Sequence, residues 1–174
     1  GADVKDAILA MTRKLADHPV ANALLWGAEG FNQPTLIWTD PETGIECKGR
    51  IDRYTQYNGR TVLVDLKTAV SAKPSVFAKT MATYSYDVQA GMYLFGSQVA
   101  APLDEPRRFA HIVQEKTAPY AVAVYECGEK TIDEGESKYH AYLAKVKQCR
   151  ESGVWPGYAD DEITVMDMPH WAFG

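Results

Sequence analysis

Cysteine is scarce in this sequence. Its 174 residues include three, Cys47, Cys127 and Cys149, and no two form a C-x-x-C pair. Such an odd, scattered set supports neither a complete disulfide framework nor a thiolate zinc site. A reducing compartment, the cytoplasm, is the expected setting. Long apolar runs are missing too: none approaches the roughly 20 residues that cross a bilayer. No basic-then-apolar leader opens the chain, so no membrane partner is expected. The four histidines, His18, His111, His140 and His170, form no spaced pair and are given no chemistry. There is no internal repeat and no low-complexity tract. Positive charge is not in excess. The formal net charge is −5, which taken whole argues against a protein that coats nucleic acid.

What is present reads as one ordinary domain over residues 1–174, with 46% apolar and 24% charged residues. The charge is segmented. Residues 48–79 carry seven basic residues (Lys48, Arg50, Arg53, Arg60, Lys67, Lys73 and Lys79) against two acids, Asp52 and Asp65. That stretch attracts phosphate, and carboxylates isolated within it suit either a cation or salt bridges.

Apolar periodicity predicts a helix over 3–16, with Val4, Ile8, Met11 and Leu15 on one stripe. Pro19 opens a second short helix through Trp26, which reads as core. Strands are predicted over 35–39, 45–57 and 60–68, helices over 76–83 and 86–100, and strands over 109–114 and 121–125. A long helix over 131–151 carries Tyr139, Tyr142, Leu143 and Val146 on one side, and the tail from Gly153 is irregular. The fold class is α/β (α+β), in the order αβββαββα.

Asn58-Gly59 is a two-residue hairpin turn, and it fixes register. Opposed residues then have numbers adding to 117, which sets Asp52 against Asp65. Alternation makes this a non-hydrogen-bonded pair with Cα atoms about 4.5 Å apart. Arg50, Tyr54, Leu63 and Lys67 share its face, while Ile51, Val62, Val64 and Leu66 lie on the face expected to form the core. Like charges set opposite each other destabilise a hairpin. Two readings are open: a divalent cation bridges the carboxylates, or both are exposed and neutralised by Arg50, Lys67 and solvent. Lys67, two residues beyond Asp65, points the same way and can orient water or support phosphate charge.

Gly49-Arg-Ile-Asp52, Val64-Asp-Leu-Lys-Thr68 and Tyr86-Asp-Val-Gln89-Ala-Gly-Met-Tyr93 follow in that order. Together they resemble the PD-(D/E)xK nuclease superfamily, and within it the RecB-like and RecE-like branch. In the tail, Trp155-Pro-Gly-Tyr158 and Pro169-His-Trp171 resemble RecE-type phage and prophage exonucleases. The resemblance implies a restriction-endonuclease-like core, a central mixed sheet flanked by helices. It implies a Mg²⁺ (or Mn²⁺) site built from Asp52, Asp65 and the Leu66 carbonyl, with Lys67 as the catalytic lysine. Gln89 and Tyr93 match the helix motif that supports the site. A further acid of the superfamily falls on Gln33 here, with Glu29 as its substitute. Ile51 stands where the superfamily has proline. Arg50, Arg53, Lys73 and Lys79 become candidate phosphate contacts.

The activity implied is 5′-to-3′ exonuclease digestion of linear double-stranded DNA, leaving 3′ single-stranded tails for recombination. The partners implied are duplex DNA ends, a single-strand annealing protein and further copies of the chain. The setting is a bacterial or phage-infected cytoplasm. The chain would be a whole small nuclease or an excised catalytic core. Branches with a four-cysteine iron–sulfur cluster do not match three scattered cysteines. The alternatives are another endonuclease of the superfamily and an attenuated DNA-binding or assembly module.

Overall fold

The Asn58-Gly59 turn forms as its sequence demands. Both residues have positive φ, 51° and 72°, as this two-residue loop needs to match the twist of its strands. Strand β4 (Arg53–Tyr57) and strand β5 (Arg60–Ala69) run antiparallel from it, paired from Tyr57↔Arg60 to Arg53↔Val64. That is the expected register. The ladder ends one rung before Asp52 and Asp65. In this computed structural model, which describes residues 2–158 and 163–173, the predicted strand over 45–57 is broken at Ile51-Asp52. The remainder of the single domain expected over 1–174 lies outside the described residues.

Beyond the break, strand β3 (Glu46–Arg50) pairs with β2 (Thr35–Thr39) in a separate ribbon, from Thr35↔Arg50 to Thr39↔Glu46. A strand absent from the sequence reading, β1 (Gly30–Asn32), takes the edge of β4. Backbone hydrogen bonds continue across the break: Gln33 N–H donates to the Asp52 carbonyl at 2.9 Å, and Ile51 N–H to the Pro34 carbonyl at 3.1 Å. The bend also moves Ile51 to the face opposite the one expected, while Val62, Val64 and Leu66 keep theirs. Ile51 packs with Leu63 and Phe109 on the Asp65 side, while Val62 and Val64 pack on the other. Both faces of β5 are apolar because β5 is internal and helices cover it on both sides.

Two helices precede the sheet, α1 (Ala2–Asp17) and α2 (Pro19–Trp26). Leu15, Ala21 and Leu24 of this pair pack on Val62, Val64, Ala110 and Ile112. After β5 come α3 (Pro74–Thr83) and α4 (Tyr86–Ala100), then β6 (Arg108–Glu115), β7 (Val122–Glu126) and α5 (Glu129–Ser152). A short 3₁₀ turn, His170–Ala172, lies in the tail. The main sheet runs β1-β4-β5-β6-β7, with β5 and β6 parallel and the other neighbours antiparallel. This is the mixed sheet flanked by helices that the sequence led us to expect.

Four expected core positions are not core. Val4 and Ile8 of α1 are exposed, since only the C-terminal part of that helix reaches the sheet. Trp26 is half exposed at the end of α2. Tyr142 is exposed because the buried stripe of α5 steps by four and three, through Tyr139, Leu143 and Val146. Among the described residues, no helix is long and apolar enough to cross a membrane.

Helices α4 and α5 touch backbone to backbone. A Cβ built on Gly135 would lie 1.9 Å from the Asp87 carbonyl oxygen, and one on Gly91 would lie 2.3 Å from the Glu136 nitrogen. Lys138 closes the contact with an ion pair to Asp87 at 2.7 Å. Gly135→Ala is therefore expected to lower stability by about 3 kcal/mol, read from urea unfolding. Gly128→Ala, where an added Cβ meets nothing within 4 Å, is expected to stay within about 1 kcal/mol of the parent.

Candidate active site

Alternation along β5 places Asp65 and Lys67 on one side, and their side chains meet in an ion pair of 2.7 Å. Helix α4 lays Gln89 over both. The Gln89 amide donates from Nε2 to Asp65 Oδ1 at 2.8 Å, and its Oε1 accepts from Lys67 Nζ at 2.8 Å. An amide is the right group here, because it donates to the carboxylate and accepts from the ammonium at once. Below Lys67 lies the Tyr86 ring, with its centroid 4.4 Å from Nζ.

The bend brings Asp52 to the same place by a different route. Its Oδ2 accepts from Leu66 N–H at 2.8 Å, so the Asp52 carboxylate sits at the peptide that joins Asp65 to Leu66. The expected facing pair is thus corrected. The two aspartates are neighbours across the open end of the ladder rather than opposed within it, because Ile51 turns into the core and β3 leaves the sheet. In a strand, a residue's N–H and C=O point to the same neighbour. The Leu66 carbonyl therefore faces the gap that Asp52 occupies.

A buried histidine completes the surroundings. Parallel pairing sets His111 of β6 against Asp65 of β5. Its ring is 0% exposed, and Nδ1 lies 3.4 Å from Asp65 Oδ2. Among the described residues, neither ring nitrogen has another hydrogen-bond partner, and Phe77, Tyr86 and Phe109 surround the ring. No motif marks this residue. Its only signal in the sequence is an imidazole amid the apolar run of a buried strand.

Asp65 is 5% exposed. Burial pushes its pKa up, but hydrogen bonding from His111 and Lys67 and the Lys67 charge outweigh burial and hold it below the usual carboxylate range. Burial and the negative charge of Asp65 push the nearby Cys127 thiol up to about 12.

Tyr93 supports the bend. Its hydroxyl donates to the Arg50 carbonyl at 3.1 Å, and a Cβ on Gly49 would come within 2.7 Å of its ring. Glycine precedes the bend because the tyrosine ring fills the space of a side chain.

The other candidates divide. Gln33 adjoins Asp52 through its backbone, but its side-chain oxygen accepts from Arg50. Glu29 lies beyond the Gly30↔Thr55 rung, three residues along β4 from Asp52, or about 10 Å. Its carbonyl accepts from Thr55 Oγ1, and the fold does not bring it to the aspartates. Arg53 is corrected as a phosphate contact. It is 6% exposed and ties β4 to the preceding loop through Asn32 Oδ1 at 3.0 Å and the Gly27 carbonyl at 2.6 Å. Arg50, Lys73 and Lys79 are exposed.

The donor set suits a hard cation. Among the described residues, buried Asp65 Oδ2 has Lys67 at 2.7 Å and His111 at 3.4 Å as its neighbours and no further donor. Among the described residues, no group of three or more His, Cys, Asp or Glu side chains could hold a metal. Two carboxylates and a carbonyl match Mg²⁺ or Mn²⁺, which complete their shells with water and phosphate oxygens, and do not match a caged zinc.

Residues 2–165 match the family model described as "PDDEXK-like domain of unknown function (DUF3799)". No curated protein matches the chain. The crystal structure of a Eubacterium rectale protein named "Putative exonuclease" superposes with a TM-score of 0.68 at 15% identity. That alignment covers 97% of this chain and 64% of that one, so this chain spans less than two thirds of its neighbour. The likeness shows a shared fold. The structure of SSO0001 aligns with a TM-score of 0.45 at 18% identity, over 86% of this chain and 68% of that one.

His111→Leu keeps the site buried but removes one partner of Asp65. The Asp65 pKa is expected to rise, read from the titration of its carboxyl carbon by NMR. Because the folded value is depressed, Asp65 stabilises the fold at neutral pH, and that contribution is lost as pH falls below about 4 and through the folded value. The variant's acid-sensitive share of stability is expected to shrink accordingly.

Proposed function

Because the chain belongs to the PDDEXK-like family DUF3799, we propose that it is a divalent-metal-dependent deoxyribonuclease. More narrowly, we read it as a RecE-like exonuclease that hydrolyses linear double-stranded DNA from 5′ to 3′ and leaves 3′ single-stranded tails for recombination. The observation that carries this reading is the joined set of Asp65, Lys67 and Gln89, with Asp52 on the adjacent peptide. The exonuclease element draws on the tail motifs at Trp155–Tyr158 and Pro169–Trp171 and on the name of the Eubacterium rectale neighbour.

Asp52, Asp65 and the Leu66 carbonyl are the groups that would hold the cation. When bound, Mg²⁺ or Mn²⁺ supplies Lewis-acid activation of the phosphate and the attacking water. Lys67 places its ammonium beside the scissile phosphate and offsets charge that builds on its oxygens. Gln89 fixes the directions of both Asp65 and Lys67, and Tyr93 fixes the bend that presents Asp52. Hydrolysis forms one P–O bond from water and breaks one, with the proton passing to the leaving oxygen. Arg50, Lys73 and Lys79 are suited to backbone phosphates, where they contribute affinity that falls with salt. An annealing partner, and assembly with further copies of the chain, belong to the same proposal.

Linear duplex with 5′-phosphates is expected to be digested in Mg²⁺, and covalently closed circles spared. Asp65→Asn and Lys67→Ala are each expected to slow digestion by about a hundred- to a thousand-fold while the thermal transition remains cooperative. Retained activity in both variants would remove the site assignment. Cutting of the closed circle would replace the exonuclease with an endonuclease. DNA binding without digestion by the parent chain would leave a binding module.

A further inference from the structure

The site continues outward through a second aromatic ring. Tyr86, which carries Lys67 on its face, stacks on Tyr84 with centroids 5.9 Å apart and planes 22° from parallel. Tyr86 is held from within by Phe77 at 6.2 Å and His111 at 5.8 Å. Tyr84 is 67% exposed. In one continuous helix, residues two apart do not face each other. These two rings stack because Ser85, between α3 and α4, is left-handed, with φ 54° and ψ 42°. A serine held in that conformation is a local strain, and its effect is to turn an exposed tyrosine onto the ring beneath the lysine.

The surroundings select the occupant. Residues 66–86 carry three lysines, Lys67, Lys73 and Lys79, and no acid. A cationic segment with one rigid, solvent-facing ring fits a phosphate chain bearing a flat base. An aliphatic protein surface would not use the lysines. Base–aromatic stacking tolerates any sequence, because every base offers a π face.

We propose that Tyr84 is a stacking platform for an unpaired nucleobase, next to the nucleotide whose phosphate reaches Lys67. This rests on the nuclease reading and sharpens its substrate to a DNA end with unpaired terminal nucleotides. The Tyr84 ring caps the outermost base, while Tyr86 below it keeps the platform aligned with the lysine.

The test uses the full chain with Ca²⁺ in place of Mg²⁺ and two probes. One is a duplex with a four-nucleotide unpaired end carrying 2-aminopurine at its terminus, and the other is a blunt duplex. Binding by the parent chain and by Tyr84→Phe is expected to quench the 2-aminopurine. Tyr84→Ala and Tyr84→Leu are expected to bind without quenching, with affinity for the unpaired end about ten- to a hundred-fold weaker and affinity for the blunt duplex little changed. Leucine keeps apolar bulk without a ring face, so it separates stacking from general apolar contact. Quenching and affinity retained in Tyr84→Ala would overturn the platform and leave the nuclease reading standing. Failure of the parent chain to bind either duplex would overturn both.

Discussion

A carboxylate buried as deeply as Asp65 must be paired if it is to remain charged, and much of this structure serves that requirement. Lys67 supplies the opposite charge from two residues along the same strand. Gln89 arrives from α4 and joins the two. His111 arrives from the parallel neighbour β6 and meets the same carboxylate oxygen as Lys67. Each partner belongs to a different element, so the site exists only where strand, helix and second strand are packed together. The close α4–α5 contact at Gly91 and Gly135 secures the helix that carries Gln89.

The second constraint is the bend at Ile51-Asp52. A continuous hairpin would have set two negative charges against each other at a cost in stability. The chain instead buries Ile51 and sends β3 into a ribbon with β2. It hands the Asp52 carboxylate a backbone N–H at Leu66. Tyr93 and Gly49 hold this geometry by filling the space beside it. The buried Ile51 side chain anchors the bend.

The charge of the molecule takes on meaning once the fold is known. The basic segment over 48–79 is not a uniform phosphate-binding stripe. Arg53 is consumed in tying β4 to the loop before β1, and Arg50 is bound to Gln33. Lys67 faces the site, while Lys73 and Lys79 remain on the exposed side of the chain leading to Tyr84. A net charge of −5 is compatible with a nucleic-acid partner because the acids lie mostly in the flanking segments.

The sequence by itself determined the hairpin and its register, since an Asn-Gly turn sets strand alternation locally. It also determined that Asp65 and Lys67 share a side, and that Gln89 and Tyr93 share a helix face, because these follow from periods of two and of nearly four. The mixed sheet with flanking helices was legible in the order of its elements. Tertiary structure alone decided where the hairpin breaks, that Arg53 is buried, that Glu29 stands apart from the aspartates, and that His111 meets Asp65. Those outcomes depend on the packing of Ile51, on an edge strand of three residues and on parallel pairing between strands over 40 residues apart. Such contacts arise between distant segments and leave no local period for a sequence to display.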